Sequence, residues 1–65
     1  ARSNNAAIMN MVRDKCTETG EVELTELYNL AIQRGISENE VDRVVSKMSI
    51  NGIIYEVGTD KYRFA

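Results

Sequence analysis

A chain of 65 residues carrying ten acidic and eight basic side chains, net charge −2, has room for one small domain. It lacks the strongly basic balance of dedicated DNA-binding domains. The absence of His removes histidine-based catalysis and zinc sites, and a single Cys removes any internal disulfide and fits a reducing compartment.

No apolar run approaches the roughly 20 residues that a membrane span needs, and no signal-peptide pattern is visible. The polar start Ala1-Arg2-Ser3-Asn4-Asn5 reads as a linker stub over residues 1–4, followed by one domain over 5–65, although removal of an initiator Met before a small residue would give the same start. Asn4 or Asn5 can cap the first helix through its side-chain oxygen. Ala7, Ile8, Met11, Val12 and Cys16 then share one face, with Asn10, Arg13, Asp14 and Glu18 opposite. Gly20 is the natural stop. Cys16, on the apolar face, is most simply a small core residue.

Glu21-Val22-Glu23-Leu24 alternates polar and apolar residues and predicts a short strand, suited by its charge to a sheet edge. Thr25 then offers an N-cap, and Glu26 a negative charge at a helix start. Leu27, Leu30 and Ala31 form the inward face of this second helix, flanked by Tyr28 and Ile32. Arg34 complements its C-terminus, Gly35 ends it, and Ile36 is expected to be buried in the turn that follows.

Ser37 and Glu40 make a capping box, in which the hydroxyl accepts from one backbone N–H and the carboxylate from another. Val41, Val44, Val45 and Met48 follow at i, i+3, i+4 and i+7, so residues 38–51 read as an amphipathic helix closed by Gly52. Two helices joined by a short turn containing Gly form a helix-turn-helix. After Gly52 the period changes from 3.6 to 2. Ile53-Ile54-Tyr55-Glu56-Val57 and Lys61-Tyr62-Arg63-Phe64 predict a hairpin turning at Gly58-Thr59-Asp60. The expected fold is an α+β winged helix-turn-helix, ordered helix, strand, helix, helix, strand, strand, in which the first strand joins the hairpin in a small antiparallel sheet.

No catalytic constellation is visible. A nucleophile partnered by a base is missing, as is a Gly-rich phosphate loop. Glu38, Glu40 and Asp42 sit where helix capping and the macrodipole favour acids, and they lack the loop-borne clustering that calcium requires. The chain is therefore expected to be no enzyme, with no catalytic, metal or cofactor residues.

Two kinds of contact remain. In a helix-turn-helix the start of the second helix reaches base edges in the major groove. Here that start carries Glu38, Glu40 and Asp42, which repel phosphates. Asn39 could read an adenine edge, but it is isolated among acids. The candidate DNA contacts are Arg43 and Lys47, with Ser46 between them, and Lys61 and Arg63 on the hairpin. Four phosphate contacts would give a salt dependence with a log–log slope of only about −4. The competing reading of these cations is an ordinary solvated surface. The candidate protein contacts are Ile50, which falls off the inward stripe, with Ile53 and Tyr55. Either Ile54 or the alternating set Ile53, Tyr55 and Val57 faces the core, and the pattern leaves both open. Apolar groups left together at the surface often mark partner contacts; a domain this small could instead cover them all.

The second half of the chain resembles a known family. Gly35-Ile36-Ser37-Glu38-Asn39-Glu40-Val41, then Val44-Val45-Ser46-Lys47-Met48, Gly52-Ile53-Ile54-Tyr55-Glu56 and Lys61-Tyr62-Arg63 are similar to the C-terminal winged-helix domain of archaeal minichromosome maintenance (MCM) proteins. The likeness covers roughly residues 20–64. It departs at the turn Val57-Gly58-Thr59-Asp60, where the family often carries Pro, and at Ile50, where a charged residue is more usual. The resemblance implies a non-catalytic appendage on a hexameric ATP-driven replicative DNA helicase, tethered flexibly to an upstream ATPase core. It implies modulation of ATPase and unwinding activity, and contact with that core or with origin-binding or loader proteins. DNA binding would be weak or none, no membrane would be involved, and the isolated domain would be monomeric. The location implied is cytoplasmic and nucleoid-associated through the parent protein. The rival expectation is a sequence-specific transcriptional regulator, which should be dimeric with a basic recognition surface; a structural winged helix in another replication or sorting complex is a third.

Overall fold

A computed structural model describes residues 4–65; residues 1–3 of the expected linker stub lie outside the described residues. The elements are α1 (Asn5–Thr19), β1 (Val22–Glu23), α2 (Leu24–Gln33), α3 (Glu38–Ile50), β2 (Ile54–Gly58) and β3 (Lys61–Phe64). The strands form one antiparallel sheet in the order β1-β3-β2. Type and order agree with the winged helix-turn-helix read from the sequence.

One apolar cluster joins the elements. Ile8, Met11, Val12 and Cys16 come from α1, Leu27 and Ala31 from α2, and Val41, Val44, Val45 and Met48 from α3. Val22, Ile36 and Ile54 complete it from β1, the inter-helix turn and β2. Burial pushes the Cys16 thiol up from its ordinary value, consistent with a core residue rather than a nucleophile.

Both ends of the helix-turn-helix are built from hydrogen bonds that the sequence announces. At the end of α2, Gly35 takes φ +73°. Its N–H bonds the Ile32 carbonyl at 3.1 Å, and the Ile36 N–H bonds that of Ala31 at 2.8 Å. This is a Schellman motif, and it folds Ile36 back into the core. The same motif closes α3: Gly52 N–H to Ser49 carbonyl at 3.0 Å, and Ile53 N–H to Met48 carbonyl at 2.9 Å. At the start of α3, the Glu40 N–H donates to Ser37 Oγ at 3.3 Å and the Ser37 N–H donates to Glu40 Oε2 at 3.0 Å. Replacing Ser37 by Ala should cost about 1 kcal/mol, read as a lower midpoint in urea, while Ser46→Ala on the exposed face of the same helix should leave the midpoint in place.

Three local expectations are corrected. The N-cap of α2 is Glu23, not Thr25. Glu26 stands three residues after Glu23 and its Oε1 accepts from the Glu23 N–H at 3.3 Å, so the helix opens two residues earlier. The predicted strand 21–24 shrinks to Val22–Glu23 as a result. Asn4 occupies the cap position of α1 without a side-chain capping bond. Its Nδ2 donates instead to Glu40 Oε1 at 2.9 Å, tying the entry of α1 to the entry of α3.

The hairpin resolves which isoleucine is inside. Ile54 is 2 % exposed and Ile53 38 %. The Schellman closure spends the Ile53 N–H on α3, so β2 begins one residue later than the sequence pattern suggests. Ile54 then faces Phe64 across the sheet and Glu56 faces Tyr62, while Tyr55 pairs with Arg63 on the outer face. Gly58 faces Lys61, which leaves Val57 as the extra residue of a β-bulge. Asp60 turns the tip at φ +57°. Its N–H donates to Glu56 Oε2 at 3.0 Å and its carbonyl accepts from the Leu24 N–H at 2.9 Å, which anchors the tip to the start of α2.

Candidate functional site

The residues singled out from the sequence fall on two separate surfaces, and the division is not the one between cations and apolar groups. On the first, α3 carries Arg43, Lys47 and Ile50 outward, one turn apart; Ile50 is 84 % exposed. With Asp42 and Ser46 they line a shallow depression. Arg43 and Lys47 also line a groove between α1 and α3, together with Met9, Met48 and Ile53. The groove continues over Met9, Met48 and Ile53 to Phe64 and Arg13. The part between α1 and α3 holds about 90 Å³ and its continuation about 310 Å³, an open trough rather than the single cleft of roughly 300–1,000 Å³ that buries most of a small molecule. It has the size to take side chains of a partner.

On the second surface lie Lys61, Arg63 and Tyr55, on the outer face of the sheet. Lys61 Nζ is 4.0 Å from Glu23 Oε1. Arg63 Nε donates to the Gly20 carbonyl at 3.2 Å, which binds the wing to the end of α1. Both wing cations are thus engaged, Arg63 in holding the sheet to the end of α1 and Lys61 loosely with Glu23 on the neighbouring strand of the same sheet. Arg43 and Lys47 are not: the ion pairs among the described residues are Lys15–Glu26 and Lys61–Glu23.

Two of the three acids of α3 are also accounted for by structure. Bonds from the Ser37 backbone N–H and then from the Asn4 amide hold the Glu40 carboxyl below the usual carboxylate range. Asp42 accepts from the Tyr28 hydroxyl, which bridges α2 and α3. That bond, with burial second, pushes the Tyr28 phenol up to about 12. A phenol whose pKa is raised on folding stabilises the fold fully below its unfolded value and loses that contribution as pH climbs toward its folded value. Stability should therefore fall between about pH 10 and 12, with Tyr62, raised by burial, contributing in the same direction. Tyr28→Phe should flatten this fall in alkaline urea titrations. An unchanged profile would show that the Tyr28–Asp42 bond does not form in solution.

Sequence reasoning missed Met9, Phe64 and Arg13 as parts of the groove. Met9 stands off the buried stripe of α1, and four residues from both Asn5 and Arg13. That spacing places all three on one helical face, the only signal that could have found them. Phe64 was legible as a hairpin aromatic, but not its meeting with α1.

No group of three or more metal-ligating side chains occurs among the described residues, and no helix among them is long and apolar enough to cross a membrane. A capped helix-turn-helix followed by a docked hairpin, with an apolar groove beside its second helix, defines a winged-helix module. The family model for the MCM protein C-terminal winged helix-turn-helix domain matches residues 1–65. The chain belongs to that family, the C-terminal domains of the MCM helicases of DNA replication. No curated protein and no solved structure gives a significant match.

Proposed function

We propose that the domain is a regulatory docking module of a hexameric ATP-dependent replicative helicase, of the archaeal type that its motifs resemble. It acts through protein contacts, with the helicase core of its own parent or with origin-binding or loader proteins, and binds DNA weakly at most. Its location is then cytoplasmic, at the nucleoid with the parent enzyme. The observation that supports this is the groove between α1 and α3, which leaves Met9, Ile53 and Phe64 partly exposed in one place. Contiguous exposed apolar groups are what partner surfaces provide. Regulation by docking requires that the domain bind one state of the motor more tightly than another.

The second reading, a DNA-binding transcriptional regulator, draws on Arg43 and Lys47, which make no ion pair among the described residues. With the wing cations engaged, two phosphate contacts would give a salt slope of only about −2. Deleting the domain from the MCM protein that carries it is the direct test of docking. ATPase and unwinding rates should change several-fold in the assembled hexamer; rates equal to those of the intact hexamer would overturn the regulatory reading. NMR titration with short single- and double-stranded DNA tests the second reading. Shifts at Arg43 and Lys47 that vanish at moderate salt are the expected outcome.

A further inference from the structure

The charge around the groove says what should fill it. Its floor is Met9, Met48, Ile53 and Phe64, and its rim carries Arg13 and Lys47 with Arg43. The remaining lining residues are Asn5, Ala6, Asn10, Val44 and Asn51. No carboxylate lines either part of the groove, in a chain whose ten acids outnumber its eight bases. The three rim cations make no ion pair among the described residues; Arg13 bonds only the neutral side chain of Asn10, at 2.6 Å. Glu40, one turn from Arg43, is occupied by Ser37 and Asn4.

Asp42 lines the adjoining depression with Arg43 and Lys47, and Glu40 feels the charge of Arg43, but neither acid faces the trough. An apolar trough edged by three cations without ion pairs among the described residues is complementary to an apolar ridge edged by acids. Two of its walls are helices, and two of its four floor residues are methionines, whose unbranched side chains adapt to an incoming surface. We infer that the groove receives an acidic amphipathic helix of a partner protein, its apolar face on Met9, Met48, Ile53 and Phe64 and its carboxylates against Arg13, Arg43 and Lys47. This is the helix-in-groove mode of recognition, in which apolar anchors at i, i+3 or i+4 and i+7 supply the contact. The cations would steer the encounter and select against basic helices more than they add affinity. Nucleic acid would satisfy the rim and leave the floor uncovered, apart from base stacking on Phe64. The inference rests on the docking role proposed above and specifies the chemistry of the docked element.

The test uses the 65-residue chain and three probes: a helical peptide with Leu and Phe on one face and Glu on the other, the same peptide with every Glu replaced by Lys, and an oligothymidylate. In NMR titrations the acidic peptide should shift the methyl signals of Met9, Met48 and Ile53 and the ring signals of Phe64. The R43E/K47E variant, whose substitutions lie on an exposed face and whose fold is checked by circular dichroism, should bind it at least tenfold more weakly. Equal response to the Lys peptide, absence of shifts at the groove, or preferential binding of oligothymidylate there would each overturn the inference. The same double substitution placed in the full-length helicase separates this claim from the broader one. If ATPase changes as on domain deletion while the acidic peptide fails to bind, docking stands and the acidic helix falls. If deletion itself leaves ATPase unchanged, the docking role falls.

Discussion

Leu27→Ala should remove a large share of the domain's stability. Leu27 is 0 % exposed and reaches the cluster that α1, α2 and α3 share. Truncating a buried leucine costs about 2–5 kcal/mol, because the lost transfer energy is compounded by the cavity left behind. A domain of this length has only about 3–10 kcal/mol of stability to lose. With a urea m-value of about 1 kcal/mol/M, the midpoint should drop by about 2 M or more. The neighbouring Ile32, well exposed on the same helix, supplies the control. Ile32→Ala should move the midpoint by no more than about 0.5 M. A Leu27→Ala protein with a near-native midpoint would mean that α2 does not seat in the core as described.

The second large effect distinguishes two adjacent residues. Ile54→Ala should cost about 2–5 kcal/mol, and Ile53→Ala less than about 1 kcal/mol. The chemistry removed is identical; only the side of the sheet differs. Ile54 sits against the helices, while Ile53 caps the end of α3 and lies half out in the groove. Thermal or urea denaturation of the pair therefore reads the register of the hairpin directly, since a slip of one residue would exchange the two faces. Equal losses at both positions would show that the sheet is not pinned as described.

These positions also mark how far the sequence could be followed. The helices were legible because their apolar residues recur at helical spacing and their ends carry chemistry of their own, such as Ser37 with Glu40 and the glycines at 35 and 52. Glu23 was missed as a cap because glutamate is not among the favoured cap residues; only its distance from Glu26 gives it away. The choice between Ile53 and Ile54 was not legible, since a run of β-forming residues has no parity until something fixes its first member. That something is the hydrogen bond from Ile53 to the end of α3, a contact made by backbone. Of the site, the cations and Ile50 could be found by elimination, as residues the core did not use. The groove could not, because Met9, Met48, Ile53 and Phe64 come from four separate elements or turns and become neighbours only when the hairpin packs across α1.

The closure of α3 at Gly52 has a consequence for how the chain tolerates length change. The wing and the helix are joined without slack: Gly52 and Ile53 both bond back to α3, and Ile54 is already committed to the core. One residue inserted between Gly52 and Ile54 would present the wrong side of β2 to the helices, whereas residues added at Thr59, beyond the bulge, would lengthen the wing and leave every buried side chain in place. Variation in length should therefore collect at the tip of the wing, and the joint at its root should be fixed in length even where its residues change.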